Sequence, residues 1–124
     1  MYTIDVDASV PLLKITITST LSSADLEHLI AESTHAREPF TQGYKLWIVL
    51  PILVRQATPE EVFQLDLTVF FSKSGGLKQV AIQAPADEST TARLVETLLN
   101  LYREMNIPVD VTRDDAQSRT ALSL

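Results

Sequence analysis

Three places in the chain carry side chains whose type and spacing could do chemistry. His28, Glu32 and His35 recur at i, i+4 and i+7, which gathers them on one side of a helix in a set that suits a metal ion such as zinc. The same periodicity sets them opposite the stripe Leu26, Leu29, Ile30 and Ser33. They therefore face water, without the enclosing pocket and outer hydrogen-bond partners that a catalytic metal needs. A solvated polar face is the expectation, with no metal bound. Asp66 lies in the run VFQLDLTVFF. On a helix, Val62, Leu65 and Val69 form one stripe, and Phe63, Leu67, Phe70 and Phe71 extend it. The apolar arc is roughly 240° wide, against the ~100° that a core-facing helix needs. Asp66 falls inside it, where a carboxylate must be paired, hydrogen-bonded or raised in pKa. The sequence places no second group to work with Asp66 as acid or base, so a structural or interface-rim role is expected. Thr58 heads Thr58-Pro59-Glu60-Glu61, a helix start with a hydroxyl cap, a proline at the first helical position and acids in the first turn. Its plain role is that of a cap. Phosphate there would suit the helix N-terminus, but Glu60 and Glu61 would crowd it.

The wide arc admits three arrangements. It packs beneath the terminal helix and the opening hairpin, it forms a surface for a second copy or another protein, or it lines a cavity for an apolar ligand. The candidate contact residues are Thr58, Phe63, Asp66, Leu67, Phe70 and Phe71.

Composition narrows the remaining classes. Sixteen acids against ten bases give a net charge of −6, which repels phosphate backbones and anionic membranes, and the basic residues form no aromatic-laced patch. No nucleic-acid partner is expected. There are no cysteines, which excludes disulfides, thiol nucleophiles and cysteine-ligated metal centres. Walker, G-x-G-x-x-G, G-x-S-x-G and H-E-x-x-H patterns are missing, and both histidines sit on one outward face, so no Ser–His pair is in prospect. No catalytic residue and no cofactor is expected, and the chain reads as a non-enzyme. The longest apolar run, Leu46 to Val54, is interrupted by Pro51 and is far below the ~20 residues that cross a bilayer. The start MYTIDVDASV has no basic region ahead of an apolar one, so a cytoplasmic location is expected.

The elements that position these residues follow from periodicity. Tyr2, Ile4, Val6 and Ala8 alternate with Thr3, Asp5 and Asp7, and Leu13, Ile15 and Ile17 alternate with Lys14, Thr16 and Thr18. Two alternating strands this close form an antiparallel hairpin at a sheet edge. Ser22-Ser23-Ala24-Asp25 starts a helix that fades near Glu38-Pro39. Tyr44 to Leu50 becomes apolar on both faces from Leu46 onward, as a central parallel strand does, and Pro51 ends it. The helix begun at Thr58 runs to Ser72 or Ser74, where Gly75-Gly76 stops it. Leu77 to Ala84 is a strand closed by Pro85-Ala86-Asp87, and Thr90 to Met105 is an amphipathic helix. Val109 to Val111 is a last strand, and Asp114 and Asp115 cap a helix over Ala116 to Leu122. The order β-β-α-β-α-β-α-β-α, with no repeat or linker, predicts one α/β domain over 1–124 with a mixed, mostly parallel sheet flanked by helices.

That order, with the strand LWIVLPIL, the helix EEVFQLDLTVFF, the strand LKQVAIQA and the acidic turn into RDDAQSRTAL, resembles the SpoIIAA-like family. This family is related to the STAS domains of bacterial anti-sigma-factor antagonists. The resemblance spans essentially the whole chain and implies a cytoplasmic regulatory module that binds proteins. STAS-type antagonists carry a phosphorylatable serine or threonine in an Asp-Ser-Ser-Gly-like turn after the central strand. Here the turn is Val54-Arg55-Gln56-Ala57-Thr58-Pro59, with no Asp-Ser pair and no glycine, and Thr58 alone could stand in. The function expected is a regulatory or protein-interaction module that binds a partner or itself through the Thr58–Phe71 helix and the loop before it. The alternative is a carrier or sensor of an apolar, lipid-like small molecule beneath the same helix.

Overall fold

The computed structural model describes residues 1–86 and 90–124. It contains strands β1 (Tyr2–Asp7), β2 (Leu12–Ile17), β3 (Tyr44–Val49), β4 (Leu77–Gln83) and β5 (Val109–Thr112). The helices are α1 (Ser23–Ala36), α2 (Pro59–Ser74), α3 (Thr90–Glu104) and α4 (Asp115–Ala121). The strands form one five-stranded sheet in chain order, antiparallel between β1 and β2 and parallel from β2 to β5. The fold is thus a single small α/β domain with a mixed sheet. Of the turn Pro85-Ala86-Asp87 expected to close β4, Asp87 lies outside the described residues.

Topology decides which face each helix covers. From β2 to β5 each strand is laid down on the same side of the last. Right-handed crossovers therefore put α1, α2 and α3 on one face. The main core forms there, with Leu13, Ile15, Leu46, Ile48, Val80 and Ile82 of the sheet packed against Leu29, Val69, Val95, Leu98 and Tyr102. The other face has a small cluster, Leu12, Trp47, Ala81 and Leu122, under α4. Trp47 is fully buried, although it lies on the less covered face. Lys14 stacks over its ring at 3.9 Å, Arg119 sits at 5.4 Å, and the indole N–H donates to Gln83 Oε1 at 3.0 Å. The apolar run of β3 is explained by these two layers, of which the second is a single short helix.

Two expectations change. Val6 and Ala8 are exposed, because β1 is an edge strand whose far end runs past the helical layer. The terminal helix does not cover the outer side of α2. It packs on β4 and β5, on the opposite face of the sheet.

The helices start and stop as their residues dictate. Ser22 and Thr58 each close a capping box, with Asp25 and Glu61 as the reciprocal partners. At the lower end of the sheet, Gly76 has φ +97° and a Cβ there would lie 3.0 Å from the Gly43 Cα. Glycine lets the chain leave α2 and enter β4 alongside the start of β3.

Candidate functional site

Helix α2 is apolar on two opposite sides. Its inner side carries Val69, buried, and Leu65, half-buried against the core. Its outer side carries Phe63, 61% exposed, and Phe71, 56% exposed, with Leu67 and Phe70 between them and also exposed. The spacing i, i+4, i+7, i+8 makes these four one continuous stripe. Phe70 and Phe71 meet edge to face, with ring centroids 5.5 Å apart. Ile52 and Val54, in the loop between β3 and α2, are exposed too. An arc of roughly 240° therefore divides into a core half and a solvent half.

Asp66 is not buried. It is exposed on the outer half of α2, not held within an apolar environment. The reason is geometric: the part of the arc around it is itself in solvent. His28, Glu32 and His35 are all exposed on α1, and His35 Nδ1 lies 3.4 Å from Glu38. Among the described residues no group of His, Asp and Glu is gathered as a metal would require. Thr58 is the N-cap of α2. Its side chain accepts from Glu61 N at 3.2 Å while Thr58 N donates to Glu61 Oε1 at 2.9 Å.

The sequence reading missed an ion pair at this helix start. Glu61 is only 3% exposed. Arg55, from the loop, donates to both of its oxygens, at 2.7 Å to Oε1 and 2.8 Å to Oε2. The same guanidinium donates to Leu21 O at 2.7 Å, and Ser23 Oγ lies 3.3 Å from Glu61 Oε2. Loop, α1 entry and α2 entry are thus tied at one point. Above all the Arg55 hydrogen bonds, helped by the Thr58 backbone N–H, hold the Glu61 carboxyl down at about 2, against the opposing effect of burial. The signal was present in part: Thr-x-x-Glu is a capping-box pattern that turns the glutamate back toward the cap. Nothing local marks Arg55 as its partner.

Thr91, fully buried on α3, fixes the other side of the loop. Its hydroxyl accepts from Leu53 N at 2.8 Å and donates to Pro51 O at 3.0 Å. Thr91→Val keeps the volume but leaves a buried donor and acceptor without partners. The expected loss is about 1–3 kcal/mol in urea denaturation, with faster hydrogen exchange at Leu53.

Beneath α1 and α2 lies a cavity of about 160 Å³. It runs along β3, with Arg55 and Glu61 at one end and Arg37, Tyr44 and Tyr102 at the other. Burial pushes the Tyr102 hydroxyl well above its ordinary range, so that phenol stays neutral.

Comparison of the chain with protein-family models, curated proteins and solved structures finds no match. The site is therefore read from its own geometry. That geometry offers an exposed apolar helix face, a braced loop beside it and an apolar cavity behind it. Among the described residues, no helix is long and apolar enough to cross a membrane.

Proposed function

We propose that the chain is a non-enzymatic regulatory module of SpoIIAA-like, STAS-type fold. It binds another protein, or a second copy of itself, through the outer face of α2 and the loop before it. The observation that carries this reading is the stripe Phe63, Leu67, Phe70 and Phe71, exposed directly opposite the side of α2 that enters the core. Large apolar side chains gathered in one exposed patch are characteristic of contact surfaces, and aromatic anchors contribute most of the energy in such contacts. The loop adds Ile52 and Val54 at the carboxyl end of β3, the end of an α/β sheet where ligands gather. The Arg55–Glu61 pair and Thr91 hold that loop in place, so less order is lost on binding. A non-enzymatic role is supported by the state of Glu61, the buried carboxylate of this region. Both its oxygens are occupied by Arg55, so it has no proton to exchange near neutrality. Thr58 serves as the cap of α2. The resemblance to anti-sigma-factor antagonists supports a cytoplasmic, bacterial setting.

The test is Phe63→Glu and Phe71→Glu. Both side chains are exposed, so stability should change by no more than about 0.5 kcal/mol. Self-association, followed by sedimentation velocity at micromolar concentration, or capture of the partner should weaken by at least about 2 kcal/mol, roughly 30-fold. Wild-type protein that stays monomeric at micromolar concentration counts against self-association. Association or capture unchanged in both variants would falsify the reading.

A further inference from the structure

We propose that the cavity beneath α1 and α2 is a binding site for a neutral, phenol-sized ring compound, with its ring against β3 and its polar atom at the hydroxyls of Tyr44 and Tyr102. The inference does not depend on the outer face of α2, because the cavity lies on the opposite side of that helix.

Size gives the ring. The space is about 160 Å³, close to the ~150 Å³ of an engineered apolar cavity that takes up benzene. That is room for one ring and not for an extended chain. Leu46 and Ile48 of β3 line it from below, and Leu29, Leu65 and Leu98 line it from the three helices. The way in is the seam between α1 and α2, where the lining is small: Ser33 and Thr34 on one helix, Thr68 and Ser72 on the other. Three of these hydroxyls turn back onto their own helices. Ser33 and Thr34 donate to the Ile30 carbonyl at 3.0 and 2.8 Å, and Thr68 donates to the Gln64 carbonyl at 2.7 Å. Hydroxyls engaged in this way do not tie one helix to the other, so the seam can part there without losing those bonds.

Polarity gives the handle. Tyr102 is 5% exposed and Tyr44 2%, and both line the cavity. Burial, and then the neighbouring Tyr44 phenol, hold the Tyr102 hydroxyl well above its ordinary range, with no hydrogen bond acting on it. Among the described residues, Gln64 Oε1 alone is both sealed from solvent and without a partner. The unpartnered Tyr102 hydroxyl is therefore not sealed, and it opens onto the space that its residue lines. A buried polar group without a partner is rare in a folded protein. A ligand hydroxyl, which both accepts and donates, supplies that partner. The surroundings that keep the phenol neutral also resist a charge on the ligand. The charged residues at the two ends are engaged elsewhere. Arg55 and Glu61 pair with each other, and Arg37 donates to the Phe71 carbonyl at 3.0 Å in an exposed contact.

Benzene, phenol and benzoate, titrated into isotope-labelled protein, separate the ring, the hydroxyl and the charge. Phenol should saturate at one equivalent and shift the amides of Leu46, Ile48 and Tyr102. It should bind about tenfold more tightly than benzene, and benzoate should not saturate. Tyr102→Phe should remove the preference for phenol while leaving benzene binding unchanged, and Tyr44→Phe should reduce that preference. Absence of saturable phenol binding overturns the proposal, as do shifts confined to Phe63, Leu67, Phe70 and Phe71. Equal affinity for phenol and benzene in the wild type overturns the role of the tyrosine hydroxyls, even if both tyrosine variants fail to fold. Benzoate bound as tightly as phenol overturns the assignment to a neutral ligand.

Discussion

Replacing Arg55 with alanine is expected to destabilise the domain by about 3 kcal/mol, lowering Tm by about 10 °C in a thermal melt. The asymmetry of the pair sets the size. The Glu61 side chain is 5% exposed and that of Arg55 38%. Removing the arginine strands a carboxylate that water cannot reach. Removing the charge of the glutamate leaves a guanidinium that water can partly solvate. Glu61→Gln should therefore cost less, about 1–2 kcal/mol. The pH dependence follows from the same pair. The folded-state Glu61 carboxyl lies at about 2 against 4.5 for the free group. A group depressed on folding contributes stability that is complete above its unfolded value and lost as pH falls through the folded one. Between about pH 5 and pH 2 the wild type should lose about 2–3 kcal/mol from this group, the upper figure being discounted because Arg55 reaches solvent. In Arg55→Ala the partner that depresses the value is gone and burial raises it. That variant should be penalised most near neutrality, and its deficit should shrink toward pH 3. Parallel stability curves for the two proteins across this range would show that the pair does not control the loop.

Most of the architecture could be read in the residues because local rules and tertiary packing agree. Ser22 and Thr58 stand where capping requires them, Gly75-Gly76 ends α2, and the unbroken apolar run of β3 marks a strand covered twice. The strand order adds the rest, since crossovers of one hand place three helices together. What could not be read were relations between distant positions. Periodicity shows that the apolar arc of α2 is too wide but not which half meets solvent, because α4 could have crossed to either face. The burial of Asp66 could not be read for that reason: a carboxylate among apolar neighbours is buried only if the neighbours are. Arg55 and Glu61 are six residues apart across a loop with no fixed geometry, so no spacing rule joins them. Arg37 and Gly75 meet only once α1 and α2 are docked side by side.

Trp47→Ala should be the most damaging substitution on the second face, costing about 3–5 kcal/mol in denaturant unfolding. Trp47 packs against Leu122, the C-cap of α4, and it is 1% exposed. Its ring packs with Leu12, Ala81 and Leu122 under two stacked cations, Lys14 and Arg119. Its N–H meets Gln83 Oε1, which also accepts from Ser118 Oγ at 2.9 Å. Gln83 Nε2 in turn donates to Asp115 at 2.9 Å, and Lys45 Nζ donates to the Leu122 carbonyl. Loss of the indole removes both the apolar seat of Leu122 and one end of this polar chain. A helix of seven residues has no stability of its own, so α4 should detach before the rest unfolds. Hydrogen exchange at Ser118 and Leu122 should become fast while Val80 and Ile82 stay protected. Trp47→Phe keeps most of the apolar contact and gives up the Gln83 bond, so it should cost only about 1–2 kcal/mol. The outer stripe of α2 lies across the sheet from this layer, so Trp47→Phe should leave binding through Phe63 and Phe71 intact. If that substitution abolished binding while the fold held, the contact surface would include α4, and the assignment to α2 alone would be wrong.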